Sequence, residues 1–388
     1  MSMGGNQMSL DLVSQHLSKR HFLGLDGLRG VAALVVVFLH GAMTFDIGYV
    51  PGAACLAVDF FFLLSGFVIA FAYDAKLGRG GMTWRRFMAV RTIRLYPMLF
   101  LGTALGALLF VLAQIHRQEF HFFVSSIVIA GSFALLPVGL AVGLLAYPLN
   151  VPVWSLFFEF VANALYGTRF GKLGLRSLAV FIGGSGAALV AMAVWGGPFL
   201  YIGFGTPTKF LLGFVRVTYP FWAGVFLFRA ARLRRVPRVP ISVIGFVLAS
   251  LLLVPFAGPA YSLPLVLVAF PALVALGASA SLGNLTARVC SAAGRVSYPL
   301  YLIHWPVYRA AYRASEVMHL AKYPWAMLIG GAVVSVALAE ALLVAFDEPT
   351  RTWLTGRLRL RQSRMGGATG SAGRGASTGS RRPWQVGR

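Results

Sequence analysis

The chain has 388 residues, of which 58% are hydrophobic and only 12% are charged, and its mean hydropathy is +0.76. Soluble globular domains carry roughly a quarter of their residues as charged side chains, so this composition excludes a water-soluble protein. The two cysteines, Cys55 and Cys290, exclude a disulfide framework and show no metal-ligand spacing, so no metal site is predicted.

The apolar residues form long continuous runs, and many of these approach the ~20 residues that cross a bilayer as a helix. They are rich in Leu, Ala and Gly and do not alternate with polar residues, which excludes a membrane β-barrel. We therefore predict an all-α, polytopic integral membrane protein. In chain order, the predicted spans are roughly 28–46, 54–73, 95–115, 122–144, 150–168, 175–195, 210–229, 240–257, 261–281, 296–314 and 325–346.

Basic residues between the spans indicate the orientation of the chain. The net charge of +23 is concentrated in residues 74–94, in residues 229–238 and after Arg351, whereas residues 44–53 and 257–262 contain no Lys or Arg. Because basic residues are enriched in cytoplasmic loops, both termini are predicted to be cytoplasmic. The positive charge is thus explained by the cytoplasmic loops between the predicted spans and does not form one soluble basic face. Nucleic acid is therefore not predicted as a partner.

The two ends of the chain are predicted to lie outside the membrane domain of residues 22–350. Residues 1–21 are mixed and polar and lack the layout of a signal peptide, so we expect a cytoplasmic segment there. Residues 351–388 are rich in Gly, Ser and Arg, so we expect a disordered cytoplasmic tail that lies against anionic lipid headgroups.

One predicted span conflicts with this orientation. Arg94 and the basic residues within 169–176 both indicate the cytoplasmic side, so the chain between them crosses an even number of times. Three apolar segments lie there, and 150–168 is short and opened by the stretch "YPLNVP". A broken helix at membrane depth is tolerated where it lines protein or a wet cavity. We therefore predict about ten full spans and one irregular or partly inserted helix at 150–168.

The first predicted span contains two polar residues in an otherwise apolar run, Arg29 and His40. They are eleven positions apart, close to three helical turns, so both lie on one face about 16 Å apart. Asp59, in the next antiparallel span, is predicted at about the depth of His40. A carboxylate beside an imidazole fixes its tautomer and strengthens it as a general base. The alternative is a purely structural His–Asp pair, but intramembrane ionisable groups are more often functional.

A second polar cluster is "RRFMAVRTIRLYP", residues 85–97. Arg91 and Arg94 are separated by three positions, so they share a face of a helix that enters the membrane from the cytoplasm. Guanidinium groups present a planar fork that suits phosphate oxygens. The alternative is that they are membrane anchors, and the spacing alone does not decide between the two roles.

Two further apolar segments contain polar residues. In "VPVWSLFFEFVANALYG", residues 151–167, Glu159 requires a proton or a partner, and Trp154 and Ser155 lie about one turn before it.

The second of these segments is "GRVSYPLYLIHWPVY", residues 294–308, where Ser297, Tyr301 and His304 share one helix face. Aromatic residues near the end of a span commonly form an interfacial belt, which is the alternative for Tyr298 and Tyr308.

Together these segments resemble the membrane acyltransferase-3 family, whose members O-acylate bacterial surface carbohydrates such as lipopolysaccharide, exopolysaccharide, Nod-factor-like oligosaccharides and macrolide-like molecules. Each motif is weak alone, but all stand in the family's order and cover essentially the whole membrane domain. The motifs are Arg29 and His40 with ten residues between them, "DFFFLLSGF", Arg91-x-x-Arg94 followed by "LYP", "VWSLFFEF", "SYPLYLIHWP" and "DEP" at 347–349.

The resemblance implies an enzyme of the bacterial inner membrane that uses cytosolic acyl-CoA as co-substrate and has no tightly bound cofactor. By family frequency the acyl group is acetyl, although longer short-chain groups fit equally well. The implied acceptor is a carbohydrate hydroxyl. Some members carry an additional soluble esterase-like domain, which the short tail does not provide, so the chain is expected to act alone or with a separate periplasmic partner.

On this interpretation Arg91, Arg94 and Arg29 hold the phosphates of CoA at the cytoplasmic entrance. His40, oriented by Asp59, takes the proton of the acceptor hydroxyl, and a covalent acyl-enzyme at His40 is the open alternative. The remaining site predictions are that Glu159 binds or positions the acceptor, that His304 polarises the thioester carbonyl or only packs between helices, and that Trp154, Ser155, Tyr298 and Tyr301 contact substrate.

Three other classes of protein are compatible with parts of this pattern. A secondary transporter or flippase for a glycan or small anion also places ionisable residues inside helices, but it favours an internal repeat. Residues 22–195 and 196–350 show no convincing correspondence. A scaffold explains the basic tail but not the buried polar motifs. A different membrane acyltransferase class is not expected to carry the Arg29–His40 spacing together with Arg91 and Arg94.

Overall fold

The computed structural model describes residues 22–78, 81–118, 121–195, 199–230, 236–255 and 258–372, with the backbone alone described for Arg169, Leu200 and residues 361–372. Within these residues the chain is helical and contains no β-strand, which confirms the all-α prediction. The helices are α1 (Leu23–Phe45), α2 (Ala57–Gly78), α3 (Trp84–His116), α4 (Phe122–Phe133), α5 (Val153–Tyr166), α6 (Leu175–Trp195), α7 (Pro207–Ala230), α8 (Ile241–Leu252), α9 (Pro259–Pro264), α10 (Phe270–Ala278), α11 (Asn284–Val317), α12 (Pro324–Leu342) and α13 (Glu348–Ala372).

Seven helical segments in the described residues are long and apolar enough to cross a membrane, so the chain is a multi-pass membrane protein. These segments are Leu23–Phe45, Gly52–Gly78, Trp84–His116, Leu175–Trp195, Pro207–Ala230, Pro259–Ala278 and Pro324–Leu360. The predicted number of ten full spans is not confirmed by this count, and the predicted orientation of the termini stays a prediction.

Three apolar helices, α4, α5 and α8, are too short for a full span. The shortness of α5, which has 14 residues, agrees with the irregular segment predicted at 150–168. Full spans predicted at 122–144 and 240–257 are wrong in extent, because α4 and α8 have 12 residues each. Pro137 and Pro255 follow these two helices closely, and proline disfavours helical backbone in the residue before it.

Helix α11 is longer than the span predicted at 296–314. It has 34 residues and begins at Asn284, so Pro299 and Pro306 both lie inside the helix. Proline at position 306 has no backbone N–H for the carbonyl of Leu302, four residues earlier. The side-chain amide of Asn150 donates a hydrogen bond to that carbonyl instead, at 2.9 Å. The turn before α5 is thereby held against the middle of α11.

Two helix pairs form the centre of the molecule: α1 packs along α11, and α2 packs along α7. The α2–α7 pair is especially close where Gly66 faces the backbone carbonyl of Phe221 and Gly224 faces that of Leu63. A Cβ atom at either glycine lies too near the carbonyl oxygen of the opposite helix. The absence of side chains at these two positions therefore sets the distance between the helices.

The end of the described chain differs from the prediction of a disordered tail at 351–388. Helix α13 ends at Ala372, so that prediction is wrong for residues 351–372, while residues 373–388 and 1–21 lie outside the described residues. The first part of α13 contains Leu and Arg, which favour helix, and no proline follows Pro349 within the helix. The Arg357 guanidinium lies 4.2 Å from the centre of the Trp353 ring, one turn earlier.

Candidate active site

A cavity of about 410 Å³ opens between the first turns of α1 and α3 and the junction of α12 with α13. Its wall also includes side chains of α2, α5 and α11, so it collects residues from distant parts of the sequence. Of the predicted site residues, the cavity is lined by Arg29, Arg91, Arg94, Ser155, Glu159, Tyr298 and Tyr301.

Arg91 and Glu159 form a partly buried ion pair in the cavity wall. The Nη2 atom of Arg91 lies 3.0 Å from Oε1 of Glu159, and the hydroxyl of Ser65 donates to the same oxygen at 2.7 Å. Arg91 is 6% exposed, and its Nε–H has no hydrogen-bond partner in the described part of the chain. Arg91 is therefore the partner that Glu159 requires, and one buried N–H group of Arg91 remains without a hydrogen bond.

The other two predicted arginines differ in their pairing. The guanidinium of Arg29 lies 3.1 Å from the carboxylate of Asp26, one turn earlier on α1. Arg94 is exposed at the mouth of the cavity and forms no ion pair with any residue that the structure describes. The entrance therefore presents an arginine whose five donors are available to an anionic ligand.

The inner end of the cavity is closed by two hydroxyl groups. Ser155 Oγ and Tyr301 Oη are 2.8 Å apart, and the carbonyl oxygen of Pro152 lies 3.1 and 3.2 Å from them, so one hydroxyl donates to the other and the second donates to this carbonyl. Phe61 packs edge-on against the Tyr301 ring at 5.8 Å. Tyr298 lies nearer the mouth, where its hydroxyl donates to the carbonyl of Leu95 at 2.5 Å.

Two histidines lie directly behind Tyr301. The Nδ1 atom of His40 and the Nε2 atom of His304 are 2.8 Å apart, and the two rings stack with centroids 5.0 Å apart. The rings of Tyr301 and His304 are 6.0 Å apart. His304 is fully buried, whereas His40 is partly exposed and contacts the edge of Trp305. The cavity wall reaches Tyr301 but includes neither histidine.

The predicted pairing of Asp59 with His40 is wrong. Asp59 forms a buried, bidentate ion pair with Arg216 of α7, with Nε–Oδ1 and Nη2–Oδ2 distances of 3.0 and 2.7 Å. The remaining N–H groups of Arg216 donate to the carbonyls of Cys55, Phe199 and Ile202 at 2.8 to 3.0 Å. Asp59 and His40 were predicted at the same depth in adjacent helices. They are not paired, because Asp59 faces α7 and not α1.

Trp154, which was predicted to contact substrate, lies beside Arg216. Its ring packs against the Arg216 guanidinium at 5.3 Å and is absent from the cavity wall. Sequence reasoning missed Arg216 altogether, although a lone arginine in the apolar run "FLLGFVRVTYPF" is a signal that an intramembrane cation needs a partner. Asp59 and Trp154 are therefore parts of one structural cluster around Arg216.

Comparisons with known proteins bear on what this cavity does. The family model described as "Acyltransferase domain", acyltransferase family 3, matches residues 22–344. A protein of Rhizobium radiobacter, "Protein 2 in picA locus", is 34% identical over 194 residues, which cover 44% of this chain and 94% of that protein. No solved structure matches. The chain belongs to acyltransferase family 3 and is a membrane-embedded acyltransferase.

Proposed function

We propose that this protein is a transmembrane O-acyltransferase of the bacterial inner membrane. It moves an acetyl or other short acyl group from cytosolic acyl-CoA to a hydroxyl of a periplasmic or cell-surface carbohydrate. The observation that carries this proposal is an arginine-lined cavity that ends one aromatic ring away from a pair of histidines. The resemblance of the motifs to the acyltransferase-3 family supplies the substrate classes.

The arginines at the entrance fit the phosphates of CoA. Arg94 has its donors available at the mouth, and Arg91 lies in the same cavity wall, where it is paired with Glu159. Charge-assisted bonds from arginine to phosphate are strong and geometrically specific. Arg29 is already paired with Asp26, so it contributes to the electrostatic potential of the entrance more than to direct contacts with phosphate.

The pantetheine arm then extends inward along the cavity towards Ser155 and Tyr301. Their hydroxyls are the last polar groups of the wall before the histidines, so the thioester reaches them first. A shift of the Tyr301 side chain connects the cavity to His40. Tyr301 separates the cavity from the histidines. A donor bound in the cavity therefore reaches His40 only after the Tyr301 side chain has moved.

His40 acts as the general base. Its partly exposed side is available to an acceptor that approaches from the end of the molecule opposite the arginines. His40 removes the proton of the acceptor hydroxyl, the oxygen bonds to the acyl carbon, the C–S bond breaks, and His40 returns the proton to the CoA sulfur.

The test is acyl transfer in membrane vesicles from a strain that lacks the gene and carries either the wild-type chain or a variant. Radiolabelled acetyl-CoA is supplied to the cytoplasmic face, and label in the carbohydrate fraction is measured. His40→Ala is expected to lower the rate at least about 100-fold, in line with the loss of a general base. His116→Ala, a histidine outside the cavity wall and the histidine pair, is the matched control.

Binding of CoA to the purified protein separates the parts of the proposal. His40→Ala is expected to bind CoA as the wild type does, because His40 is not part of the cavity wall. Transfer by His40→Ala at the rate of the wild type removes His40 from the chemistry. Failure of the wild-type protein to bind CoA or to release it from acetyl-CoA contradicts the donor assignment.

A further inference from the structure

The hydrogen bonds of His304 determine which of its ring nitrogens carries hydrogen. The Nδ1 atom of His304 lies 2.9 Å from the carbonyl oxygen of Leu300, one turn earlier on α11. A carbonyl oxygen only accepts hydrogen bonds, so Nδ1 of His304 is the donor. The rings in contact with His304 are those of His40, Tyr301 and Tyr308, and none of these is an anion that calls for an imidazolium. His304 is then a neutral imidazole whose Nε2 atom is an acceptor.

The tautomer of His40 follows from that of His304. With a lone pair on Nε2 of His304, the 2.8 Å contact to Nδ1 of His40 requires the hydrogen to lie on His40. A neutral His40 with hydrogen on Nδ1 has its lone pair on Nε2. In the described part of the chain, Nε2 of His40 forms no hydrogen bond, and the residue is partly exposed.

We propose that His304 is a positioning residue which, through the Leu300 carbonyl, holds His40 in the tautomer whose Nε2 atom is the base. This inference rests on the proposed function, in which His40 removes the proton of the acceptor. The carbonyl of Leu300 and the ring of His304 take the place of the carboxylate that orients the catalytic histidine in Ser-His-Asp hydrolases. His304 neither polarises the thioester nor serves only in packing.

The same chain of hydrogen bonds supports each step of the reaction. When Nε2 of His40 accepts the proton of the acceptor hydroxyl, the Nδ1–H group stays bonded to His304 and the positive charge is spread towards that acceptor. When the C–S bond breaks, the proton on Nε2 passes to the thiolate of CoA. His304 keeps its own proton throughout, so the neutral pair is restored after each transfer.

The helices around the pair keep the two rings in register. Helix α1 packs along α11, and the side-chain amide of Asn150 holds the carbonyl of Leu302 beside the histidine. Trp305 contacts His40 edge-on at 5.2 Å from the next position of α11. A rotation of the His40 ring out of the bond to His304 therefore requires movement of packed neighbours.

The test compares His304→Phe with His304→Gln in the vesicle assay. Phenylalanine keeps a ring of similar shape but removes the acceptor, whereas the glutamine side-chain oxygen replaces Nε2 as an acceptor for His40. His304→Phe is expected to lower the maximal rate on the order of 100-fold, and His304→Gln to stay within about tenfold of wild type. The KM for acetyl-CoA is expected to be unchanged in both, because His304 does not line the cavity.

Nitrogen NMR of histidine-labelled protein gives a readout that a merely structural role does not move. In wild type, the His40 signal, assigned from the His40→Ala spectrum, is expected to report hydrogen on Nδ1, and His304→Gln is expected to preserve it. A His40 signal with hydrogen on Nε2 overturns the inference even if the Phe variant does not fold.

Kinetic outcomes separate this inference from the proposed function. If the wild-type chain transfers acetyl groups and His304→Phe does so at the same rate, the positioning role is wrong while the proposed function stands. Equal loss of rate in the Gln and Phe variants, with CoA binding retained in both, also overturns the role of the acceptor atom. Absence of transfer by wild type, from acetyl-CoA and from longer short-chain acyl-CoA alike, contradicts the proposed function itself.

Discussion

At the scale of residues, two ion pairs between helices differ in how completely their hydrogen-bonding groups are satisfied. Arg216 and Asp59 are 1% and 0% exposed, and the five N–H groups of Arg216 are directed at the carboxylate and three backbone carbonyls. Arg91 and Glu159 are paired in the cavity wall, where the buried Nε–H of Arg91 has no partner among the described residues. The first pair is saturated and structural, whereas the second lines the cavity and leaves one N–H group of Arg91 unsatisfied.

Breaking the saturated pair is expected to destabilise the protein rather than alter its chemistry. Arg216→Met leaves the Asp59 carboxylate buried without a counter-charge, which costs about 3–5 kcal/mol of folding free energy. The double variant Asp59→Leu with Arg216→Met removes both charges and is expected to recover part of that loss. Thermal unfolding of the detergent-purified protein measures both, and a single variant as stable as wild type contradicts the structural role.

Arg94 is expected to act on donor binding alone. Arg94→Ala removes the unpaired guanidinium at the cavity mouth, so KM for acetyl-CoA is expected to rise roughly tenfold, equivalent to about 1.4 kcal/mol, with little change in maximal rate. Arg86→Ala on the same helix is the matched control, because Arg86 is exposed and outside the cavity wall. Equal effects of the two variants in the vesicle assay contradict a specific phosphate contact.

The sequence predicted seven of the residues that line the cavity, but not the partners of Asp59 and His40. Helical spacing and the family resemblance led to Arg29, Arg91, Arg94 and Glu159, because motifs are local in sequence. The partner of Asp59 is 157 positions away in sequence, and helix depth does not report which face a side chain presents. For the same reason the contact between His40 and His304 was not predicted, although both residues were.

At the scale of elements, hydropathy predicted where apolar segments lie but not where helices end. The apolar run from 122 to 144 contains a turn and a short 3₁₀ segment after α4. Hydropathy did not reveal this break, because it does not register that Pro137 and the nearby glycines disfavour a helix. Conversely, α11 extends through arginines at both of its ends, so the apolar run within 296–314 is only part of the helix. Hydropathy indicates which segments favour the lipid phase, whereas capping residues and prolines determine where each helix ends.

The close approach of α2 and α7 makes a prediction at this scale. Gly66→Leu places a side chain against the Phe221 carbonyl and is expected to destabilise the protein by about 1–3 kcal/mol or more, since the two backbones must separate. Gly183→Leu is the matched control, because an added Cβ at Gly183 of α6 meets open space. Thermal unfolding in detergent compares them, and an equal, small effect at both positions contradicts backbone contact as the basis of the pair.

At the scale of the whole molecule, the arginines of the cavity and His40 lie towards opposite ends. Arg29 lies in the first turns of α1 and His40 near its end, and Arg91 and Arg94 lie in the first part of α3. This separation suits a reaction whose charged donor is made in the cytosol and whose acceptor is outside. In the proposed function, the donor and the acceptor therefore enter from opposite ends, and only the acyl group passes between them.

This arrangement requires the arginine-lined end to face the cytoplasm, which cysteine labelling tests. Val50, exposed after α1, and Ala75, exposed near the end of α2, lie at opposite ends of an antiparallel helix pair. In intact spheroplasts, a membrane-impermeant maleimide is expected to label Val50→Cys at once and Ala75→Cys only after permeabilisation. The native Cys55 and Cys290 are buried, so the unmodified chain is the low-background control. The reverse pattern places the cavity mouth outside the cell, where CoA is not supplied, and is incompatible with the proposed donor.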